Sequence, residues 1–327
     1  MTTLHTLLDE GAAFDPVYGN ELANHLPMAL VALDRLGASH AHLGAYAAGY
    51  AKRVGLRPAR AAAAWPAGDA WTSRLGQPDA WPMYRNLFTQ WLEHESAGAV
   101  LSQALPALMP GCAAAAFHGV IRTAYGVQAE HMGEIAEGLA YWSATHQRLG
   151  TWPQGVVADA DDPAELLREL HAADSRDGLI VTRMVDAARD GKVNAVAARL
   201  VVDDDTPQRL TRAAAFAYTH TGNFTALHLV TGCHAMRVIA QAAAADIDAT
   251  DAWRWFWQAY AHGVVAAALE PSPAPEPWPW PRIVEAAIGD DDEHVIKLVD
   301  SCREHERAIG TAGDDTWRRA ATRAVAA

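Results

Sequence analysis

Cysteine is scarce in this 327-residue chain: Cys112, Cys233 and Cys302 lie far apart, are odd in number and form no Cys-x-x-Cys pair. That excludes a disulfide framework and a zinc knuckle. Positive charge is also in deficit, with 26 Lys and Arg against 39 Asp and Glu, a formal net charge of -13 and no basic cluster. A nucleic-acid or anionic-membrane surface needs counter-charge along one face, so both are excluded as partners and a small molecule is expected. The longest apolar runs are short and interrupted. No membrane span is predicted. The start, Met1-Thr2-Thr3-Leu4-His5, has no basic region followed by an apolar stretch and a cleavage site, which gives a cytoplasmic expectation.

Several catalytic signatures are missing as well. No Gly-x-Gly-x-x-Gly follows a strand pattern, so no tightly bound flavin is expected, and a nicotinamide such as NADPH would serve as an external reductant or act through a partner protein. No histidine is followed two residues later by Asp or Glu, which removes the local half of a two-His-one-carboxylate iron site. Glu-x-x-His and His-Glu-x-x-His are absent too. Those absences count against a ferritin-like di-iron bundle and a zinc peptidase. Any metal would sit in an unusual, histidine-dominated set.

What the chain does have is alanine and helical periodicity, and almost no strand pattern, which predicts an all-α fold. Leu22, Leu26, Leu30, Leu33 and Leu36 share one face of a helix that starts near Asn20 and stops at Gly37. Pro27 interrupts that helix early and frees the carbonyl of Ala23 beside His25. Further helices are predicted over Met83 to Leu105, Gly111 to Tyr125, Glu130 to Leu149, Pro163 to Ala173, Arg176 to Asp190, Pro207 to Thr219, Phe224 to Ala244, Trp253 to Leu269 and Asp291 to Ile309. The Gly-, Asp- and Pro-rich stretch 151–162 reads as a loop, so the chain forms one large domain over 1–327 or two halves, 1–150 and 163–327, around it. Pro271 to Pro281 reads as extended chain whose Trp278 and Trp280 can cover a pocket. A short echo between Phe117-His118-Gly119-Val120 and Leu227-His228-Leu229-Val230 allows two related halves, each donating one histidine.

Four histidines, His25, His118, His228 and His294, stand among apolar residues where a helical protein normally places leucine. An imidazole in an apolar wall must be hydrogen-bonded, paired or spent on a metal. Each can be a core hydrogen-bonder, but four on four segments point to a metal site. On the 224–244 helix His228 and His234 are about 120° apart, so one ion cannot take both unless Gly232 lets the helix bend. His228 is taken as the ligand and His234 as a supporting residue; His220 lies more nearly on the face of His234 but about four turns from it, too far to share an ion. Lys297 lies one turn after His294 in a mostly apolar helix, and is either solvated or buried as a neutral or carboxylated amine able to ligate. Arg122 and Tyr125, one and two turns after His118, can bind a phenolate or carboxylate or polarise oxygen.

Trp253, Trp255, Phe256, Trp257 and Tyr260 crowd one stretch, as core or as a stacking surface for a flat substrate. His40 and His42 mark a helix-to-loop boundary and are expected to be exposed. His5, His94, His146, His171 and His305 have polar neighbours and receive the same reading.

Taken in order, Asn24-His25-Leu26-Pro27-Met28-Ala29-Leu30-Val31-Ala32-Leu33, Phe117-His118-Gly119-Val120-Ile121-Arg122-Thr123-Ala124-Tyr125, Leu227-His228-Leu229-Val230-Thr231 and Asp292-Glu293-His294-Val295-Ile296-Lys297 resemble the questin oxidase-like family over almost the whole chain. The resemblance implies a helical enzyme with a mononuclear non-haem iron (Fe2+) held by His25, His118, His228, His294 and a modified, carboxylated Lys297. Relatives are mostly fungal enzymes of polyketide tailoring in secondary metabolism. They open an anthraquinone or related ring by Baeyer-Villiger-type oxidation, in some cases with a reductant. The fungal pattern carries extra histidines where this chain has Met28, Ala29 and Arg122. Substrate therefore does not transfer with the ligands. The resulting expectation is an iron-dependent oxygenase that takes O2 and an aromatic or quinonoid small molecule, with a homodimer left open. The alternatives are a metal-dependent hydrolase or lyase, and a helical protein that only binds an aromatic metabolite.

Overall fold

A computed structural model describes residues 2–172, 177–243, 248–310 and 314–326. Helix α1 (Thr3–Gly11) is capped by the Thr2 hydroxyl, which accepts from the His5 amide. A small antiparallel hairpin follows, β1 (Val17–Tyr18) and β2 (Leu22–Ala23), with Val17 opposite Ala23 and Tyr18 opposite Leu22. Helix α2 (Leu26–Leu36) begins after it, and Gly37 closes it at φ 98° as the sequence predicts. The expected start near Asn20 is corrected by the hairpin. Pro27 stands in the first turn, where a missing N–H costs nothing, so it opens the helix instead of interrupting it. Met28 to Leu33 are at most 1 % exposed, so α2 is apolar all round up to Asp34 and central.

Helix α3 (His40–Val54) is capped by Ser39. The single helix expected over 83–105 is two, α4 (Trp81–His94) and α5 (Ala97–Leu108), because the Ser96 hydroxyl accepts from the Ala99 amide and starts a new one. The chain then turns through 111–117 before α6 (His118–Gln128), and α7 (Met132–Ala144) runs back against it. Glycine makes that pairing possible. A Cβ on Gly138 would lie 2.6 Å from Thr123 Cα, and one on Gly126 would lie 2.7 Å from the Ile135 nitrogen, so the two backbones touch.

The remaining helices are α8 (Pro163–Arg168), α9 (Ile180–Ala187), α10 (Lys192–Ala197), α11 (Thr206–Thr219), α12 (Phe224–Ala242), α13 (Ala249–Ala267), α14 (Trp280–Ile288), α15 (Glu293–Ile309) and α16 (Thr316–Val325). The predicted ends at Ala173, Arg176 and Ala244 lie outside the described residues. Trp280 starts α14 and donates to Glu306, while the Trp278 amide donates to Thr322 and its ring is covered by Arg282, so both pack on the C-terminal helices. The 249–267 aromatics are core: Trp253, Phe256, Trp257 and Tyr260 are buried, and the half-buried Trp255 meets Trp152 at a tilt of 51°. Packing of α2 on α15 and of α6 on α12 joins the two expected halves in one helical domain. Among the described residues no helix is long and apolar enough to cross a membrane.

Candidate metal centre

Each of the four histidines is delivered by a helix start. Asn24 bridges the hairpin to α2, its Oδ1 accepting from the Leu26 amide and its Nδ2 donating to the Asp15 carbonyl. That corner fixes His25, whose amide donates to the buried Tyr50 hydroxyl at 3.1 Å. His118 opens α6 after three consecutive left-handed residues, Ala115 (φ 46°), Ala116 (φ 55°) and Phe117 (φ 71°). Such backbone costs about 1–2 kcal/mol per residue and persists only where packing enforces it. The Phe117 ring enforces it by wedging against Phe256, with Gly232 and Gly263 making room. Gly232 thus accommodates a neighbour, and α12 is unbroken through it. His228 lies one turn into α12, and His294 follows Asp292, the cap of α15.

The four rings form a closed circuit: centroids are 4.6 Å apart for His25–His118, 5.0 Å for His118–His228, 5.4 Å for His228–His294 and 4.6 Å for His294–His25. Ligand atoms of His25, His118 and His294 all fall within 4.8 Å of one another. Three of the four far nitrogens are already committed. His118 Nδ1 donates to the Ala115 carbonyl at 2.5 Å, His228 Nδ1 to the Phe224 carbonyl at 2.8 Å, and His294 Nδ1 meets Asp292 Oδ1 at 3.0 Å. A carbonyl or ionised carboxylate oxygen can only accept, so those Nδ1 atoms carry the protons and the Nε2 atoms carry lone pairs. His25 Nδ1 faces Glu293 Oε1 at 3.9 Å. This is the outer-shell arrangement that orients metal-bound imidazoles.

Electrostatics keep the set neutral. Burial, reinforced by the nearby Lys297, holds His25 and His118 well below the usual imidazole range. Burial and the neighbouring imidazoles do the same for His228, and burial lowers His294 against the pull of Asp292. Lys297 is only 1 % exposed, and burial pushes its ammonium down to about 7, with Glu293 and Asp292 opposing the shift. Of its two sequence readings the buried one holds. Neutral imidazoles and an amine that can shed its proton suit a transition metal and not Mg2+ or Ca2+, so the donor set fits such an ion.

The other sequence candidates lie elsewhere. Arg122 is buried with its Nε and Nη2 on Glu134 at 2.6 and 3.1 Å and Glu137 3.9 Å away. It is directed at α7, and the structure does not bring it among the histidines. Tyr125 donates to the Lys297 carbonyl at 3.5 Å and so touches the turn of α15 that carries the lysine. His234 faces Gln128, Tyr125 and His305, on another side of α12 from His228. His94 and His171 are exposed as expected, His40 likewise, and His42, His5 and His146 are half-buried. His305 is wholly buried, a correction, because Leu298 and Cys302 share its face of α15.

Sequence reasoning missed Glu293, Tyr50 and Asn24, although Glu293 adjoins His294 and Asn24 adjoins His25. It also missed Phe224, whose i, i+4 spacing to His228 was the available signal. Two surface cavities, of about 400 Å³ around Asp15, Arg60, Trp81 and Tyr141 and about 840 Å³ around Arg183, Asp190 and Lys192, are lined by none of the four central histidines.

Fold and site together define a helical protein whose interior gathers four histidines, with a buried lysine one turn after the last of them. The chain belongs to the questin oxidase-like family, whose model matches residues 22–302 of 327 and so spans the whole centre. The family name points to oxidoreductase chemistry. No curated protein matches the chain.

Proposed function

We propose that the protein is a non-haem iron-dependent oxygenase that takes O2 and an aromatic or quinonoid small molecule and opens its ring or inserts oxygen into it. The observation that carries this reading is the convergence of His25, His118, His228 and His294 with their Nδ1 atoms turned outward to Glu293, Ala115, Phe224 and Asp292. Iron in that position would supply the redox chemistry that couples dioxygen to an organic substrate. The chain's own part is to hold the four imidazoles neutral, to keep water away through burial, and to offer Lys297 as a fifth ligand. That ligand is a neutral amine or, after addition of CO2, a carbamate oxygen, which brings the negative charge that the missing carboxylate motif would otherwise give. NADPH fits as an external reductant.

The test is incubation of the iron-loaded protein with 1,8-dihydroxyanthraquinone and NADPH under labelled oxygen. Incorporation of the label into product, lost under anaerobic conditions, is the expected result. Equal turnover without oxygen contradicts the reading and favours metal-assisted hydrolysis.

A further inference from the structure

Phe224 is 51 % exposed, yet its ring lies 4.7 Å from both His228 and His294, edge to face with each. What sets this ring apart from the other exposed apolar side chains is its place, half in water and against two of the buried-site imidazoles. Its backbone is pinned. Asn223 Oδ1 accepts from the Thr225 and Ala226 amides, and the Phe224 carbonyl receives His228 Nδ1. The rest of the centre is closed, with His25, His118, His228 and Lys297 at 6 % exposure or less, while the His294 side chain at 13 % is the most open. The solvent side of the centre is therefore the His228–His294 edge, and Phe224 stands on it.

We propose that Phe224 determines substrate choice: its exposed ring is the platform on which a planar aromatic molecule stacks as it reaches the His228–His294 edge. The proposal rests on the oxygenase reading for the reaction, but the recognition it describes is a property of the ring alone. A phenyl group favours a flat π-system in offset or edge contact over a puckered ring of the same size, and the preference is worth up to about tenfold in affinity.

The test uses 1-naphthol and its saturated, non-planar counterpart decahydro-1-naphthol, titrated calorimetrically into the full-length protein as purified, whose metal content is recorded for each preparation. Wild type is expected to prefer 1-naphthol. Phe224→Leu, which keeps an apolar side chain, should lose about tenfold in 1-naphthol affinity with decahydro-1-naphthol unchanged, Phe224→Trp should retain the preference, and Phe216→Ala, at another exposed phenylalanine, should leave it intact. Unaltered selectivity in Phe224→Leu, equal loss for both probes, no 1-naphthol binding by wild type, or a change only in oligomeric mass would each overturn the proposal. Wild type that takes up no iron on anaerobic reconstitution but still shows Phe224-dependent selectivity would sink the iron reading and leave this one standing.

Discussion

His25 and His118 meet Nε2 to Nε2 at 2.8 Å. His118 Nδ1 is held by a carbonyl, which fixes its Nε2 as an acceptor. His25 must then either turn its proton inward, leaving its own Nδ1 bare in a buried position, or present a second lone pair. Among the described residues the Nδ1 of His25 has no hydrogen-bond partner, and Glu293 lies 3.9 Å from it. A cation bound by both Nε2 lone pairs would resolve the conflict by letting His25 place its proton toward Glu293. That is the physical core of the metal assignment.

Lys297 is the residue whose role departs most from its type. Lys297→Arg keeps a cation but can neither ligate nor carry CO2 in this way, so it should cost metal affinity as heavily as Lys297→Ala, by about tenfold or more. Metal titration checks affinity, and labelled CO2 followed by carbon NMR checks for the carbamate. A Lys297→Arg protein with wild-type metal affinity would remove the residue from the centre.

Gly138 is where α7 touches α6. An added Cβ would stand 2.6 Å from Thr123 Cα, backbone that cannot swing aside. Gly138→Ala should destabilise by about 1–3 kcal/mol despite its higher helix propensity, as an overpacked core does. Urea denaturation checks this; an unchanged or raised midpoint would mean that the two helices separate freely.

Another buried histidine, His305, gives a pH prediction. Burial pushes its imidazole down to about 3, with Arg237 adding repulsion and the Val230 carbonyl opposing. A folded-state value below the ordinary 6.5 means that the unfolded chain binds the proton more readily. Its stability contribution is complete above pH 6.5 and is lost as pH falls toward 3. Between pH 7 and 4.5 wild type should lose on the order of 1–2 kcal/mol more than His305→Gln, read from urea midpoints at the two pH values. Parallel losses would show that His305 is not buried neutral.

Helical class and the four histidines were legible because an imidazole among leucine and valine is conspicuous in any register. The turn that positions His118 was not. Ala113-Ala114-Ala115-Ala116 reads as helix on propensity, and only tertiary packing of Phe117 forces the left-handed run. Pro27 looked like a breaker because its place in a first turn depends on the two-residue strand before it, too short to show a period. Arg122 pointed at substrate until Glu134, twelve residues on, was seen to occupy it. His305 sits among Glu304, Glu306 and Arg307, neighbours that hide its apolar face at three- and seven-residue spacing.

Metal stoichiometry tests the central claim most directly. The protein, purified without added metal, is reconstituted with iron(II) under anaerobic conditions, freed of excess and analysed by mass spectrometry of the elements. Wild type and the His40→Ala and His42→Ala controls should hold about one iron per chain, and His25→Ala, His118→Ala, His228→Ala and His294→Ala should each lose most of it while keeping their helical circular dichroism. Wild type that takes up no stoichiometric metal, or ligand variants that bind as the controls do, would contradict the account.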